Sequence, residues 1–327
     1  VKDWAAAMLR VSGWLARAEQ RQSKLGYVLM LHRVLPEEEH SSCYNPHLVL
    51  SPETLDSLLA FLKQSWRFVS LDEFLEASQA GRAAGLMTLT FDDGWEDNYR
   101  CAAPVLRAHG VPACIYLATR LIGSDALLPE EHFFRLWRRA AKRSEQQRLL
   151  RIFGWPAMEL DAARARLNLL PIADKLILLA KADEEFPPTK VRRQFMDWDQ
   201  VRELSSHGFT FGSHTVDHAI LTSETEAPIA QQLRDSQEFI RRELGVAPRH
   251  FAYPRGAHDE RSVRLVEAAG FASAVTTVAR GVSPKFDRFR IPRIAIDDLV
   301  LRDAAQQFST TRTRLHFVRA ARAMVAL

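Results

Sequence analysis

The sequence predicts an α/β fold: a closed or nearly closed barrel of seven parallel strands, with helices outside and one helical insertion. Three observations lead there. Seven apolar, β-favouring runs recur along the chain, most of them separated by amphipathic helical stretches, a rhythm that implies parallel pairing through right-handed crossovers. Three of those runs stop abruptly at polar, chemistry-bearing residues, as strand C-termini do when they open on a shared catalytic face. Between Ile122 and Phe195 the rhythm gives way to a helical pattern without a strand.

Taken in order, Leu25 to Leu31 reads as a strand ending on His32. Ser51-Pro52-Glu53 reads as a helix start with proline at the first helical position, and Leu55, Leu58, Leu59 and Leu62 supply its apolar stripe. Phe68 to Leu71 is a short extended piece and Asp72 to Ala80 a helix. Leu86 to Phe91 is a buried strand that runs into Asp92-Asp93-Gly94. Asn98 to His109 is a helix stopped by Gly110, and Pro112 to Ala118 the next strand.

In the insertion, Glu130 to Leu150, Pro156 to Leu169 and Ile172 to Ala182 read as helices. Its Arg135, Arg138, Arg139, Lys142, Arg143, Arg148 and Arg151 form a solvated face, or a basic rim over an acidic substrate. Trp198 to His207 is a helix, Phe209 to Ser213 a strand ending at His214, and Glu226 to Leu244 a long helix. Arg249 to Tyr253, Ala272 to Thr277 and Ile291 to Ile296 are the last strands, with a helix over Glu260 to Ala269. The organisation is an N-terminal helix over 1–24, a barrel over 25–121 and 196–297, the insertion over 122–195 and a C-terminal helical tail over 298–327.

Composition narrows the function classes. Of 327 residues 47% are apolar and 26% charged, enough to bury a large core, and a net charge of +4 does not by itself indicate nucleic acid. Cys43, Cys101 and Cys114 are odd in number and far apart, which argues against a disulfide framework or a thiolate zinc site and for a reducing compartment. No run is long enough to span a bilayer, and Val1 to Gln22 has no unbroken apolar core of a signal peptide. It reads as a helix with Trp4, Met8, Val11 and Leu15 on one side and Lys2, Arg10, Arg17 and Arg21 elsewhere, packed on the barrel or touching an anionic membrane. The expected location is cytoplasmic, with peripheral contact at the inner membrane face.

The chemistry concentrates at strand ends. Two adjacent carboxylates in a dry site resist ionising together unless a cation sits beside them, and a metal ion is the simplest cation. His214 and His218 lie four apart in Ser213-His214-Thr215-Val216-Asp217-His218; a helical turn beginning at Thr215 would put both imidazoles on one side. Two ordinary surface histidines are the bland reading, but this pair follows a strand end as the aspartates do. Asp93, His214 and His218 would leave coordination positions open on zinc, or on iron(II), with Asp92 a base beside the ion.

Thr90-Phe91-Asp92-Asp93-Gly94, His214-Thr215-Val216-Asp217-His218 and Phe251-Ala252-Tyr253-Pro254-Arg255-Gly256 resemble, in order, the first three motifs of the polysaccharide deacetylases, carbohydrate esterase family 4. The resemblance runs from about Leu25 to Ile296 and implies a distorted seven-stranded (β/α) barrel. It also implies hydrolysis of N-acetyl, sometimes O-acetyl or formyl, groups on sugars with a divalent metal: Zn2+, with Ni2+, Co2+ or Fe2+ as alternatives. On it, Asp92 is the general base, and Asp93, His214 and His218 are the metal ligands. Tyr253, Pro254 and Arg255 border the substrate, with the backbone N–H of Arg255 at the oxyanion and Gly256 letting it approach.

The sequence departs from the family pattern in two places. Many relatives take the general acid from a histidine on a late strand, but after Ile296 the only histidine is His316, in the helical tail; His32, at the end of the first strand, is the expected acid. Ala252 stands where relatives carry an arginine that buttresses the base, and Arg293 is the expected replacement. Trp95 and Trp198 are candidates to stack on a sugar ring.

The expected partner is an acetylated sugar, glycan or lipid-linked precursor of a surface polysaccharide, and not nucleic acid. The basic first helix and Arg312, Arg314, Arg319 and Arg322 of the tail motivate the lipid-linked choice. Rival readings are an iron(II) oxygenase built on the two histidines and one carboxylate, a non-catalytic carbohydrate-binding protein of this fold, and a hydrolase of amides that are not sugars.

Overall fold

The structure, a computed structural model, describes residues 25–188 and 192–322; the helix expected over 1–24 lies outside them. Its centre is a curled sheet of seven parallel strands: β1 (Tyr27–Leu31), β2 (Leu86–Phe91), β3 (Ala113–Leu117), β4 (Thr210–Ser213), β5 (His250–Ala252), β6 (Ser273–Val275) and β7 (Ile294–Ala295). Neighbours in space are neighbours in sequence from β1 to β6, and β7 returns to pair with β1, Leu29 opposite Ile294. An additional short strand, Arg67–Phe68, pairs with the start of β2. The sequence reads Ile291 to Ile296 as one strand, but Pro292 interrupts it. Ile291 bridges Val275 of β6 while Ile294 and Ala295 pair with β1, so this short segment spans both sheet edges and curls the sheet into a distorted barrel.

The strands are buried along their whole length in β1, β2 and β3, which is why they read as continuous apolar runs rather than alternating ones. The crossover helices start and stop where local chemistry directs. The Ser51 hydroxyl accepts from the Thr54 N–H at the head of α1 (Pro52–Leu62). Gly110, at φ 63°, ends α3 (Ala103–His109), whose first turn is preceded by a π-helical segment over Asn98–Ala102. α2 covers Leu71–Gln79.

The insertion carries four helices, α4 (Pro129–Arg139), α5 (Arg143–Ile152), α6 (Leu160–Asn168) and α7 (Ile172–Glu185); the single helix expected over Glu130 to Leu150 breaks at Ala140, where the backbone turns to ψ 68°. They bury a core of their own around Phe133, Leu136, Leu149, Phe153, Trp155 and Leu179. Several of the basic side chains there are already paired: Arg135 with Glu131, Arg139 with Asp183 and Arg148 with Glu185. On its return, the chain from Gln194 to Met196 runs antiparallel to Gly94–Glu96, with the Met196 N–H donating to Gly94 and the Glu96 N–H to Gln194.

In the tail, the helix Thr310–Arg322 packs Phe317 against Tyr27, and Arg312 donates to the last carbonyls of the short helix Asp298–Leu301. His316 Nε2 donates to the Ala295 carbonyl, 2.8 Å away. No helix among the described residues is long and apolar enough to cross a membrane.

Candidate metal centre and active site

The C-terminal ends of β1, β2, β4 and β5 bring His32, Asp92 and Asp93, His214 and the segment Tyr253–Gly256 to one mouth. Just past these ends the backbone is strained: Asp93, Thr215, His218 and Arg255 have φ of 75°, 67°, 57° and 58°. Only one other described residue that is not glycine, Gln306, is in that region. A β-branched residue such as Thr215 reaches it only under compulsion, and such residues gather where surrounding structure holds side chains for chemistry.

The compulsion is visible. The Val216 and Asp217 N–H groups both donate to the Gln232 side-chain oxygen, and the Gln232 amide donates to Asp217. Thr119 donates its N–H to the Thr215 carbonyl, while the Thr215 hydroxyl accepts from Ala219. The helical turn expected from Thr215 is therefore absent. A pinned loop, not helical spacing, brings the two imidazoles together, with ring centroids 4.9 Å apart.

Both rings aim Nε2 at one carboxylate oxygen. Asp93 Oδ1 lies 3.5 Å from His214 Nε2 and 3.6 Å from His218 Nε2. A tetrahedral cation bound at about 2.0–2.1 Å holds nitrogen and oxygen ligands roughly 3.3–3.4 Å apart, so the three donor atoms fit one divalent ion. All three residues are buried. The other Asp93 oxygen accepts from the Trp95 indole N–H at 2.9 Å, which fixes the carboxylate and leaves Oδ1 for the ion. His214 Nδ1 lies 2.8 Å from the Ala252 carbonyl, which sets the tautomer with the Nε2 lone pair facing Asp93. Burial pushes His214 down to about 4, against the pull of Asp92 and Asp93, so it is a neutral ligand near pH 7.

Asp92 is buried beside this trio and bound in a fork by Arg293, with both contacts at 2.7 Å. Burial raises the Asp92 pKa, but the Arg293 guanidinium outweighs it and holds the carboxyl well below the usual range. Arg293 is itself fully buried, with Nε donating to the Thr276 carbonyl and a further N–H to the Thr90 hydroxyl. His32 is 19% exposed, and its Nε2 stands 3.9 Å from Asp92. Its backbone carbonyl is held by the Asn98 amide at 2.7 Å.

Comparison with known proteins adds to this geometry. The family profile described as polysaccharide deacetylase matches residues 80–274, more than half of the chain. The chain belongs to the polysaccharide deacetylase family. It is 21% identical to the Bacillus subtilis (strain 168) protein YxkH over 208 residues, 64% of this chain and 50% of that one. It is 22% identical over 260 residues to the Staphylococcus aureus (strain MSSA476) poly-beta-1,6-N-acetyl-D-glucosamine N-deacetylase, covering 76% of this chain and 68% of that one. The chain thus spans only half the length of YxkH. Among solved structures, the Streptococcus pyogenes deacetylase PplD in complex with acetate superposes with TM-score 0.56 at 18% identity, over 84% of this chain and 92% of that one. IcaB from Ammonifex degensii gives TM-score 0.55 at 21% identity with the same coverage. These structures share the distorted (β/α) barrel of the polysaccharide deacetylases.

Within this family frame, two sequence expectations need correction. Trp95 has no exposed face for a sugar: it is sealed between Phe195, stacked at 4.4 Å, and the Arg33 guanidinium at 4.2 Å, and its polar edge serves Asp93. Tyr253 is also buried, with its ring against Phe251 and His258, so only its backbone borders the mouth. Gly256 is also required for its own packing, since a Cβ there would meet Thr277 Oγ1 at 2.2 Å. Pro254 is buried and Arg255 exposed beside it; Trp198 is half-buried against the barrel core.

Two residues near the centre escape the sequence reading. Glu130, at the start of α4, places Oε2 3.7 Å from His218 Nδ1. Its burial favours protonation, but His218 and then Lys175 outweigh that and push it down to about 2. Tyr44 is half-buried, and its hydroxyl pKa is raised well above the usual value by burial and by the charges of Glu130 and Asp93. A glutamate in the first turn of a charged helix and a tyrosine in an irregular loop give no periodic signal to find them by.

Proposed function

We propose that this chain is a metal-dependent hydrolase that removes N-acetyl groups from a glycan of surface polysaccharide. The observation that carries this reading is the convergence of His214 Nε2 and His218 Nε2 on Asp93 Oδ1, at 3.5 and 3.6 Å, beside an aspartate kept ionised by Arg293. Asp93, His214 and His218 would hold a divalent cation, Zn2+ before Ni2+, Co2+ or Fe2+, which would supply Lewis-acid polarisation of the acyl carbonyl and acidify a water for attack.

The chain's own groups do the rest. Asp92 accepts the proton of the attacking water, its orientation fixed by the Arg293 fork. The backbone N–H of Arg255 donates to the oxygen that gains charge. His32, 3.9 Å from Asp92 on the solvent side, gives a proton to the departing amine. The amide C–N bond breaks, and the products are acetate and the free amino sugar. The resemblance to a poly-beta-1,6-N-acetyl-D-glucosamine N-deacetylase makes polymers of N-acetylglucosamine the first substrates to try.

An iron(II) oxygenase can use the same two histidines and carboxylate. The Asp92–Arg293 fork favours hydrolysis, because that second carboxylate has no place in such a ligand set. The lipid-linked substrate and the inner membrane face belong to the same proposal; flotation with anionic liposomes tests them, and absence of binding counts against them. The reaction is tested by acetate release from partially acetylated glucosamine oligomers. Asp92→Asn is expected to lose about 10²–10⁴-fold in rate, the span of general-base catalysis, with metal binding retained. His32→Ala at full rate would remove His32 as the acid; Asp92→Asn at full rate would overturn the mechanism.

A further inference from the structure

We propose that Glu130, supplied by the helical insertion, is the positioning residue that orients His218, so that the insertion and not the barrel completes the metal centre. The inference builds on the metal-binding reading above. A metal-ligating histidine needs its second ring nitrogen anchored, or the ring turns and the wrong tautomer faces the ion. The barrel provides that anchor for His214 through the Ala252 carbonyl at 2.8 Å.

For His218 the barrel provides none. Its Nδ1 is buried and makes no hydrogen bond among the described residues, and neither carboxylate oxygen of Glu130 makes one either. These orphaned groups face each other at 3.7 Å, a few tenths of an ångström beyond a hydrogen bond. Buried polar groups left this way are costly, and a small closing movement satisfies both.

The position of Glu130 is not a loose surface accident. Pro129 starts α4 at its first helical position, and the helix N-terminus favours a carboxylate in this turn. The next residue, Glu131, is also buried but turns away to Arg135, its Oε1 2.9 Å from the Arg135 Nε. That leaves Glu130 as the carboxylate aimed at the barrel mouth. Lys175 of α7, also buried, stands behind it as a counter-charge. At its other end the insertion is held to the loop that follows Asp93, by pairing of Gln194–Met196 with Gly94–Glu96.

The test measures metal affinity and coordination, not activity. Zinc is titrated into metal-free protein against a chromogenic chelator, and cobalt(II) spectra report the ligand geometry. Glu130→Ala is expected to bind zinc about 10–100-fold more weakly, the usual effect of losing such an anchor, with altered cobalt bands. Glu130→Gln, which keeps an accepting oxygen, is expected to recover most of the affinity. A purely structural role would lower the unfolding temperature of metal-free Glu130→Ala and leave the cobalt spectrum of the folded fraction unchanged. Should Glu130→Ala fail to fold, Glu130→Met fills the volume without accepting a hydrogen bond and takes its place. Zinc held equally tightly by wild type and a folded variant would overturn the inference alone; wild type that takes up no zinc would overturn the metal reading with it.

Discussion

Arg293 and Asp92 illustrate how much a single pair can decide. The guanidinium is wholly buried and the carboxylate nearly so, so each is tolerable only because of the other. Arg293→Met should therefore cost about 3–5 kcal/mol of stability at neutral pH, the usual effect of stranding a buried charge. The sign with pH is specific. In the wild type the Asp92 pKa is depressed below its unfolded value of about 3.9, so the pair's contribution is present above that value and lost as pH falls through the folded one. In the metal-free variant the buried carboxyl has lost its guanidinium, its pKa rises above the unfolded value, and stability recovers as pH falls. Denaturant unfolding at neutral and acid pH should show the gap between the two proteins shrinking toward acid; a constant gap would contradict this account.

Trp95 belongs to the same scale. Trp95→Phe keeps the ring between Phe195 and Arg33 but removes the N–H that holds Asp93. The expected result is a loss of about 1 kcal/mol in stability and about tenfold in zinc affinity, read by thermal melts and chelator competition. Asp93, His214 and His218 were legible as candidate ligands because both groups follow strand ends, which a parallel barrel brings to one mouth. Trp95 and Tyr253 were misread because an aromatic beside a motif looks the same whether it faces substrate or core. Arg293 was legible only as a candidate, since nothing in Arg290-Ile291-Pro292-Arg293 says that the last of them is buried.

At the scale of elements, the strand mouths are the unit that works, and their geometry is held by backbone that most residues avoid. Gly256 sits at φ 69°, with Thr277 so close that a Cβ would lie 2.2 Å from its hydroxyl and 2.7 Å from its backbone nitrogen. Gly256→Ala should therefore destabilise by at least about 2 kcal/mol through the left-handed backbone and the clash together. Adding Thr277→Ala should not rescue it, because the backbone nitrogen remains; full rescue by that second change would show that the side chain alone sets the limit. Strand and helix positions were largely legible from period and stop signals: β2, α1 and the helix Glu226–Leu244 fall where apolar pattern and caps put them. The His214–His218 loop was not, because helical spacing and a pinned loop place two histidines on one side equally well. Only long-range bonds from Gln232 and Thr119 decide between them.

Across the whole molecule, sequential parallel strands carry residues as distant as His32 and Arg293 to one carboxylate, and closure through Ile291–Ala295 is what delivers Arg293. The barrel was legible as a rhythm of strands and helices. The way the insertion docks was not, since its charged helices resemble a solvated face in sequence, while in the fold Glu130 and Phe195 turn inward to the centre. The most direct test is metal content and acetate release measured on the same samples of wild type and Asp93→Ala. The account predicts one divalent ion per wild-type chain, none retained by Asp93→Ala, and acetate release from N-acetylglucosamine oligomers that rises and falls with metal occupancy. Acetate released at full rate by chelator-stripped protein, or wild type without a bound ion at saturating metal, would contradict it.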